Sequence, residues 1–325
     1  MRRDRGLALT WDGTSPAPRS DVEELDPPIP LAEPVAIAQG DSLAVLSTLT
    51  RTHAGQVKLA YVDPPFFTGR EHALNSHAAR GSPSPVVAFD DRWPDLATWL
   101  EHLRDRAVLL RELLSADGSL VVHVDPKTSG YVRVLLDDVF GFDAFQSEIV
   151  WRYRRWPART ANFQRVHDVL LRWVRDPRTT ACFVQHYEPL AESTRKTWGE
   201  GKQLAVVDAA GKRTRSSTTA EPSPGVPLGD VWELSIVAPS GKQRTGYPTQ
   251  KPEPLLERVV SSLTRAGDLV LDPTMGSATT LVACAKLGRR VIGIDRSELA
   301  ITIARDRLAK RGVVPLMTRL RAPPP

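Results

Sequence analysis

The chain has two cysteines in 325 residues, Cys182 and Cys284. Two isolated thiols cannot build a disulfide framework or a zinc cluster, so no metal site is expected. No apolar run approaches the ~20 residues that span a bilayer, and the start, Met1-Arg2-Arg3-Asp4-Arg5, lacks an apolar secretory core. A cytoplasmic protein without a membrane partner is expected. Phosphate-binding signatures are missing as well. Gly241-Lys242 is followed by Gln243 and lacks the upstream glycine spacing of a Walker A loop. A strong overall charge is also lacking, since the formal net charge is only +5. Its placement is uneven, however: Trp151 to Arg215 holds fourteen Lys/Arg against six Asp/Glu. A localised basic surface attracts phosphate backbones; a solvated charged face is the plain alternative.

What is present suffices for one large α/β domain and a smaller lobe, with 41% hydrophobic residues over this length. Residues 1–35 carry Pro16, Pro18, Pro27, Pro28, Pro30 and Pro34 among mixed charges, and are expected to form a poorly ordered arm. Residues 36–175 alternate strands and helices. A short strand at Val35–Ala38 leads to a helix from Ser42, then to a strand over Val57–Val62. A Gly-, Ser- and Pro-punctuated loop from Thr68 to Pro94 contains His72, His77 and Arg80. Leu96, Trp99, Leu100, Leu103, Ala107, Leu110 and Leu114 recur at helical spacing, closed by Asp117-Gly118. The strand Ser119–Val124 follows, in which His123 alternates with valines and reads as a packed strand histidine. Residues 176–246 have low periodicity and few large apolars, as an inserted lobe or loop would. Order returns in 247–325, with a helical stripe Leu255, Leu256, Val259, Val260, Leu263 and strands ending at Asp272 and Asp295.

The stretch Tyr61-Val62-Asp63-Pro64-Pro65-Phe66 organises this pattern. Proline lacks an N–H and fixes φ, so Pro64 and Pro65 stop the strand and stiffen the turn. Pro64 pushes Asp63 into an extended conformation, aiming its carboxylate off the strand end. The corner presents one carboxylate, backbone carbonyls and an aromatic face, which suits gripping a planar base by its amino group. A surface turn after a buried strand is the alternative for these residues alone.

A second unit lies near the C-terminus: strand, small-residue loop Pro273-Thr274-Met275-Gly276-Ser277-Ala278-Thr279-Thr280, helix, and a strand ending in Asp295. Doubly wound sheets hold nucleoside cofactors this way, the loop letting backbone approach the ligand and the acid binding ribose hydroxyls. Asp295 stands 23 residues after Asp272, near the spacing expected of the ribose acid. The loop has one glycine where a dinucleotide site prefers three, so S-adenosylmethionine fits better than a phosphate-bearing ligand.

These residues resemble the β class of site-specific DNA amino-methyltransferases, the adenine-N6/cytosine-N4 family. Asp63-Pro64-Pro65-Phe66 is similar to its catalytic motif, Gly246-Tyr247-Pro248-Thr249-Gln250-Lys251-Pro252 to the segment before its cofactor loop, Asp272–Thr280 to the loop itself, and Ile292-Gly293-Ile294-Asp295 to its ribose-binding strand end. Two positions depart: Thr274 stands where the family has Phe, and Ala278 where it has Gly. A methyl at 278 is tolerable if that residue has helical φ/ψ.

The resemblance implies an α/β fold with a doubly wound, mostly parallel sheet, the circularly permuted class I S-adenosylmethionine-dependent methyltransferase fold, with 176–246 as its recognition lobe. It implies Asp63, Pro64, Pro65 and Phe66 as catalytic residues. For the cofactor it implies Asp41 near adenine, Asp295 on ribose, Thr249 and Lys251 at the methionine carboxylate, and Asp63, Asp272, Pro273, Thr274, Gly276, Ser277, Ala278 and Thr279 around the rest. Trp151-Arg152-Tyr153-Arg154-Arg155-Trp156 and Asn162–Asp168 interleave aromatics with arginines, which suits double-stranded DNA. Arg154, Arg155, Arg165 and His167 are the expected contacts. For single residues the alternative puts Trp151 and Phe163 in the core and makes His167 a strand-start hydrogen bonder. A homodimer and a cognate restriction endonuclease are further partners the resemblance allows.

Neither cysteine follows a proline, against cytosine-C5 chemistry, and aspartate at 63 points to adenine N6. Methyl transfer to cytosine N4 or to RNA, and a non-catalytic DNA-binding relic, are the alternatives.

Overall fold

The computed structural model describes residues 24–74, 86–204, 206–212, 217–238, 241 and 243–321. Its centre is a pair of parallel strands from opposite ends of the chain. β1 (Glu24–Asp26), β2 (Val35–Gln39) and β3 (Val57–Val62) come early. A hairpin, β4 (Glu71–Ala73) and β5 (Val87–Asp90), precedes β6 (Leu114–Val124), β7 (Phe145–Arg152) and β8 (His167–Val174). β9 (Tyr187–Glu188), β10 (Gly201–Leu204), β11 (Ser217–Pro222) and β12 (Val226–Pro227) are short. β13 (Val231–Glu233), β14 (Leu269–Asp272), β15 (Arg290–Asp295) and β16 (Leu316–Arg321) complete the set.

Ten of these strands form one sheet, ordered β1-β16-β2-β15-β14-β3-β6-β8-β7-β13. Six of its nine neighbouring pairs are parallel, so the sheet is mostly parallel, as expected. The late strands β14 and β15 fill the gap between β2 and β3. Their Val/Leu/Ile runs suit that place: Leu59, Val270, Leu271 and Ile294 are fully buried, as strands covered on both faces require. Helices α1 (Ser42–His53), α2 (Leu96–Leu113) and α3 (Ser129–Phe140) pack together in sequence. Beyond α4 (Glu192–Trp198), helices α5 (Glu253–Leu263), α6 (Thr279–Leu287) and α7 (Glu298–Ala309) form a second set. No helix among the described residues is long and apolar enough to cross a membrane.

Several boundaries differ from the sequence reading. Of the arm expected over 1–35, residues 1–23 lie outside the described residues, but Glu24–Asp26 is an edge strand antiparallel to β16, with Leu25 buried. Two apolar residues, Leu25 and Ile29, anchor this proline-rich segment to the core. Helix α2 stops at Leu113, short of Asp117-Gly118, which instead sits within β6 beside a register shift against β3. A Cβ at Gly118 would lie 2.8 Å from the Val57 carbonyl, so only glycine allows that close approach. His77 and Arg80 of the long loop lie outside the described residues.

The compact inserted unit is Val184–Asp230, narrower than the 176–246 expected, because Val231–Glu233 pairs with β7 in the large sheet. Within that unit β9 pairs with β12 and β10 with β11, and α4 has no buried residue.

One polar cluster ties α5, α7 and the loop after β14. Arg307, buried, donates to the Ser277 carbonyl (2.6 Å), Thr279 Oγ1 (2.9 Å) and Glu253 Oε1 (2.8 Å), and Arg311 adds a second bond to Glu253 (2.8 Å). Removing one partner of a buried pair strands the other charge. Glu253→Ala is expected to lower stability by roughly 3–5 kcal/mol in urea unfolding; a loss below about 1 kcal/mol, the scale of an exposed pair, contradicts the anchoring role.

Candidate functional site

β3 delivers Asp63 at its carboxyl end, and the two prolines turn the chain away at once. The corner is held from outside. The Trp99 indole donates to the Pro65 carbonyl (2.8 Å). The buried Asp91 carboxylate accepts from Phe67 N–H (3.1 Å), Thr68 N–H (2.8 Å), Thr68 Oγ1 (2.6 Å) and the Trp93 indole (3.1 Å). Phe67 is thereby fixed at φ 58°, a left-handed conformation that an aromatic residue seldom adopts.

β14 delivers Asp272 next door, through the pairs Leu269↔Val57, Val270↔Leu59 and Leu271↔Ala60. The two strand ends are joined directly: Asp63 N–H donates to Thr274 Oγ1 at 3.0 Å, and Thr274 N–H to Asp272 Oδ1 at 3.0 Å. The threonine that replaces the family's phenylalanine is therefore a tie between the two loops. Burial pushes the Asp272 carboxyl up to about 7.

Asp295, at the end of β15, accepts from Gly276 N–H (3.0 Å) and Ser297 N–H (2.9 Å), and burial raises its carboxyl. Gly276 has φ 46°, and a Cβ there would meet the Tyr247 ring at 3.1 Å, so the loop needs glycine here. Ala278 does not have the right-handed helical φ/ψ on which its tolerance was premised. It caps α6 at φ 59°, ψ 35°, left-handed, with its side chain fully buried.

Around these strand ends lies a cleft of about 450 Å³. Asp41, Asp63, Pro64, Pro65, Phe66, Thr249, Lys251, Asp272, Pro273, Thr274, Gly276, Ser277, Thr279 and Asp295 all line it. Ala278 does not; it shapes the loop from behind. Thr249 is a further left-handed residue, at φ 57°. Strained backbone at Phe67, Thr249 and Ala278 thus surrounds one cavity.

Lys251 does not stand as the resemblance implies. It is 8% exposed, and its Nζ donates to Asp63 Oδ1 at 2.6 Å and Oδ2 at 2.5 Å, 4.9 Å from the Phe66 ring centroid. Asp41 caps α1 by accepting from Leu43 N–H (2.9 Å) and faces the buried Arg106 guanidinium at 3.3 Å.

Sequence reasoning missed several lining residues. Tyr247 stacks on Phe89 (6.3 Å between centroids), and Phe89 on His72 (4.6 Å), forming an aromatic wall. Trp93 packs edge-on against His102 at 4.7 Å, and burial with the nearby Arg106 charge pulls His102 down to about 3, keeping it neutral. None of these belongs to a local motif; only spacing in the folded chain brings them together. His123 is fully buried: Tyr61 Oη lies 2.8 Å from its Nδ1, and Asp168 Oδ2 3.4 Å from its Nε2. Its ring centroid stands 5.7 Å from that of Phe66. It is packed, as expected, but behind the aromatic of the corner.

The expected DNA contacts stand apart from the cleft lining. Arg154 and Arg155 are exposed, with Arg155 over the Tyr153 ring at 5.2 Å, while Arg165 is paired with Asp125 at 2.5 Å. His167 opens β8 opposite Arg152. Trp151 is buried, as the core alternative has it, whereas Phe163 is 97% and Trp156 88% exposed between the arginines.

Comparison with known proteins fits this geometry. Residues 57–306 match the N6/N4 family model described as DNA methylase. The type II methyltransferase M2.DpnII of Streptococcus pneumoniae is 47% identical over 268 residues, 80% of this chain and 85% of its own length. M.EcaI of Enterobacter cloacae is 28% identical over 302 residues, and the chain spans 65% of that relative's length. Among solved structures, a DNA modification methylase from Thermus thermophilus complexed with S-adenosyl-L-methionine superposes with a TM-score of 0.54 at 18% identity, over 87% of this chain and 97% of the other. The PvuII cytosine-N4-specific DNA methyltransferase gives 0.54 at 15% identity, over 86% and 87%. At such identities the likeness is one of fold, the class I methyltransferase fold.

The left-handed alanine generates a prediction. An L-residue there costs roughly 1–2 kcal/mol, which glycine avoids at some entropic cost of its own. Ala278→Gly is expected to raise stability by about 0.5–1 kcal/mol, read as a higher denaturation midpoint; a lower midpoint contradicts the strained-cap assignment.

Proposed function

The chain belongs to the N6/N4 DNA methylase family, and within it we propose that it transfers the methyl group of S-adenosylmethionine to the exocyclic N6 amine of an adenine flipped out of duplex DNA. The observation that carries this reading is the tie between Asp63 and the loop after β14, which fixes an acceptor carboxylate at the wall of a cleft suited to a nucleoside.

The residues present fit the cofactor. Gly276 leaves a side-chain-free approach, Asp295 retains acceptor capacity beyond its two backbone bonds, and the Tyr247–Phe89 wall offers flat apolar surface. Asp295 would hold the ribose, and Pro273, Thr274, Gly276 and Ser277 the methionine side. The ligand supplies an electrophilic methyl on a sulfonium. All else falls to this chain.

An aromatic amine is a poor nucleophile because its lone pair is delocalised into the ring. Accepting its two N–H bonds on the Asp63 carboxylate and the Pro64 carbonyl favours a pyramidal nitrogen whose lone pair faces the cleft. Positioning then supplies much of the rate. Phe66 provides the stacking face, worth about 1–3 kcal/mol per base. A base stacked in a duplex cannot reach this corner, so it must flip out. Arg154, Arg155, Trp156 and Phe163 supply charge and stacking surface for DNA, and the unit Val184–Asp230 is our candidate for target recognition. Aspartate at 63 favours adenine, and M2.DpnII and M.EcaI are type II methyltransferases by name.

Nucleoside mass spectrometry on DNA from an expressing host is expected to show N6-methyladenine; N4-methylcytosine would contradict the choice of base. Asp63→Ala is expected to keep cofactor and DNA affinity and to lose turnover by roughly 10²–10³-fold or more; unchanged turnover contradicts the assigned role.

A further inference from the structure

We propose that Lys251 reads the target base: as the base's amine settles on Asp63, the ammonium keeps one carboxylate oxygen and donates to the ring nitrogen beside that amine. The inference rests on the methyltransferase reading above and assigns Lys251 a specificity-determining role in place of a contact to the cofactor's carboxylate.

The geometry is restrictive. The Lys251 carbonyl accepts from Thr279 Oγ1 at 3.0 Å, which fixes the residue's backbone against the loop. Its Nζ lies between the two features any target must use, 2.5–2.6 Å from the Asp63 oxygens and 4.9 Å from the Phe66 ring centroid. A base that stacks on Phe66 with its amine on Asp63 therefore comes within reach of the ammonium. Expelling a cation from a site where it is 8% exposed would leave a charge uncompensated; sharing the carboxylate does not. A carboxylate has about four acceptor sites and an ammonium three donors, so both can serve a third partner.

The spacing of the pair matches one chemical group. In adenine and cytosine the exocyclic amine shares its carbon with a ring nitrogen bearing an in-plane lone pair. At C–N lengths of ~1.33 Å, two nitrogens on one trigonal carbon stand about 2.3 Å apart. The acceptor oxygen and donor nitrogen of the Asp63–Lys251 pair stand 2.5–2.6 Å apart. Two nearly parallel hydrogen bonds, N–H to carboxylate and ammonium to ring nitrogen, thus close on the amidine-like edge. Thymine has no such edge. A flexible four-carbon stem lets the ammonium make the small shift required.

The test pairs a protein change with a substrate change. The duplex carries the site mapped by sequencing modified host DNA, with adenine or 1-deazaadenine at the target; the analogue keeps the amine and replaces the ring nitrogen by C–H. Single-turnover methylation and equilibrium duplex binding are measured for wild type and Lys251→Met. The wild type is expected to lose roughly 10–100-fold with the analogue, the value of a hydrogen bond to a charged group. Lys251→Met is expected to lose a comparable factor on adenine, and less than about threefold more with the analogue, while its S-adenosylmethionine affinity stays within about threefold of wild type, small against that bond. Losses that multiply overturn the assignment, as does a cofactor affinity that falls in step with rate in a variant whose melting temperature is normal. Should Lys251→Met fail to fold, Lys251→Arg keeps the cation on Asp63 and displaces its donors; a deaza penalty unchanged from wild type overturns the proposal there. If the mark falls on cytosine, 3-deazacytosine takes the analogue's place. No methylated base at all from the wild type overturns the functional reading itself, and this assignment with it.

Discussion

Parallel pairing of β14 with β3 is the constraint on which the site depends. Residues some 210 apart in the chain, Leu271 and Ala60, are Cα partners in that ladder. Because the strands run in the same direction, both carboxyl ends emerge on one edge of the sheet, and open α/β sheets bind ligands in the crevice outside such ends. Everything chemical hangs from this alignment. It sets Asp63 beside the loop after Asp272, allows the Asp63 N–H to reach Thr274, and leaves a cleft between the corner and the loop. Had the pairing been antiparallel, the two acids would lie at opposite edges.

The cleft is kept in shape by groups that do not themselves face a ligand. Asp91 gathers two backbone N–H groups, a hydroxyl and an indole, and so fixes the turn after Phe66. Arg307 and Glu253 bind the loop's far side to two helices. Left-handed backbone at Phe67, Thr249 and Ala278 is sustained by that surrounding structure. Each costs free energy locally, which fits a site whose geometry is held by its frame.

Much of this was legible in the sequence where the signal is local. Strand runs ending in Asp63, Asp272 and Asp295 announce themselves by β-branched residues followed by proline or small residues, and the sheet class follows from their alternation with helices. What was not legible depends on partners distant in the chain. Nothing near Lys251 says that its ammonium meets a carboxylate 188 residues away, nor does anything near Thr274 say that its hydroxyl takes the Asp63 N–H. The left-handed state of Ala278 breaks the usual rule for glycine, so propensity misled there. Asp91 sits in a stretch without motif, and His72, Phe89 and Trp93 gain meaning only from the hairpin that carries them. The Glu24–Asp26 strand was hidden by its prolines, since an edge strand needs only three residues and a neighbour.

The central claim is that the corner at Asp63 and the loop after Asp272 serve one reaction, an amine held on one side and a methyl donor on the other. The most direct test is a crystal structure of the chain with S-adenosylmethionine and a duplex carrying its mapped site. The account predicts an extruded base on Phe66 with its amine about 2.6–3.2 Å from the Asp63 carboxylate, and the ribose of the ligand on Asp295. A ligand lodged away from the loop after Asp272, or a base that remains stacked in the duplex, would contradict it.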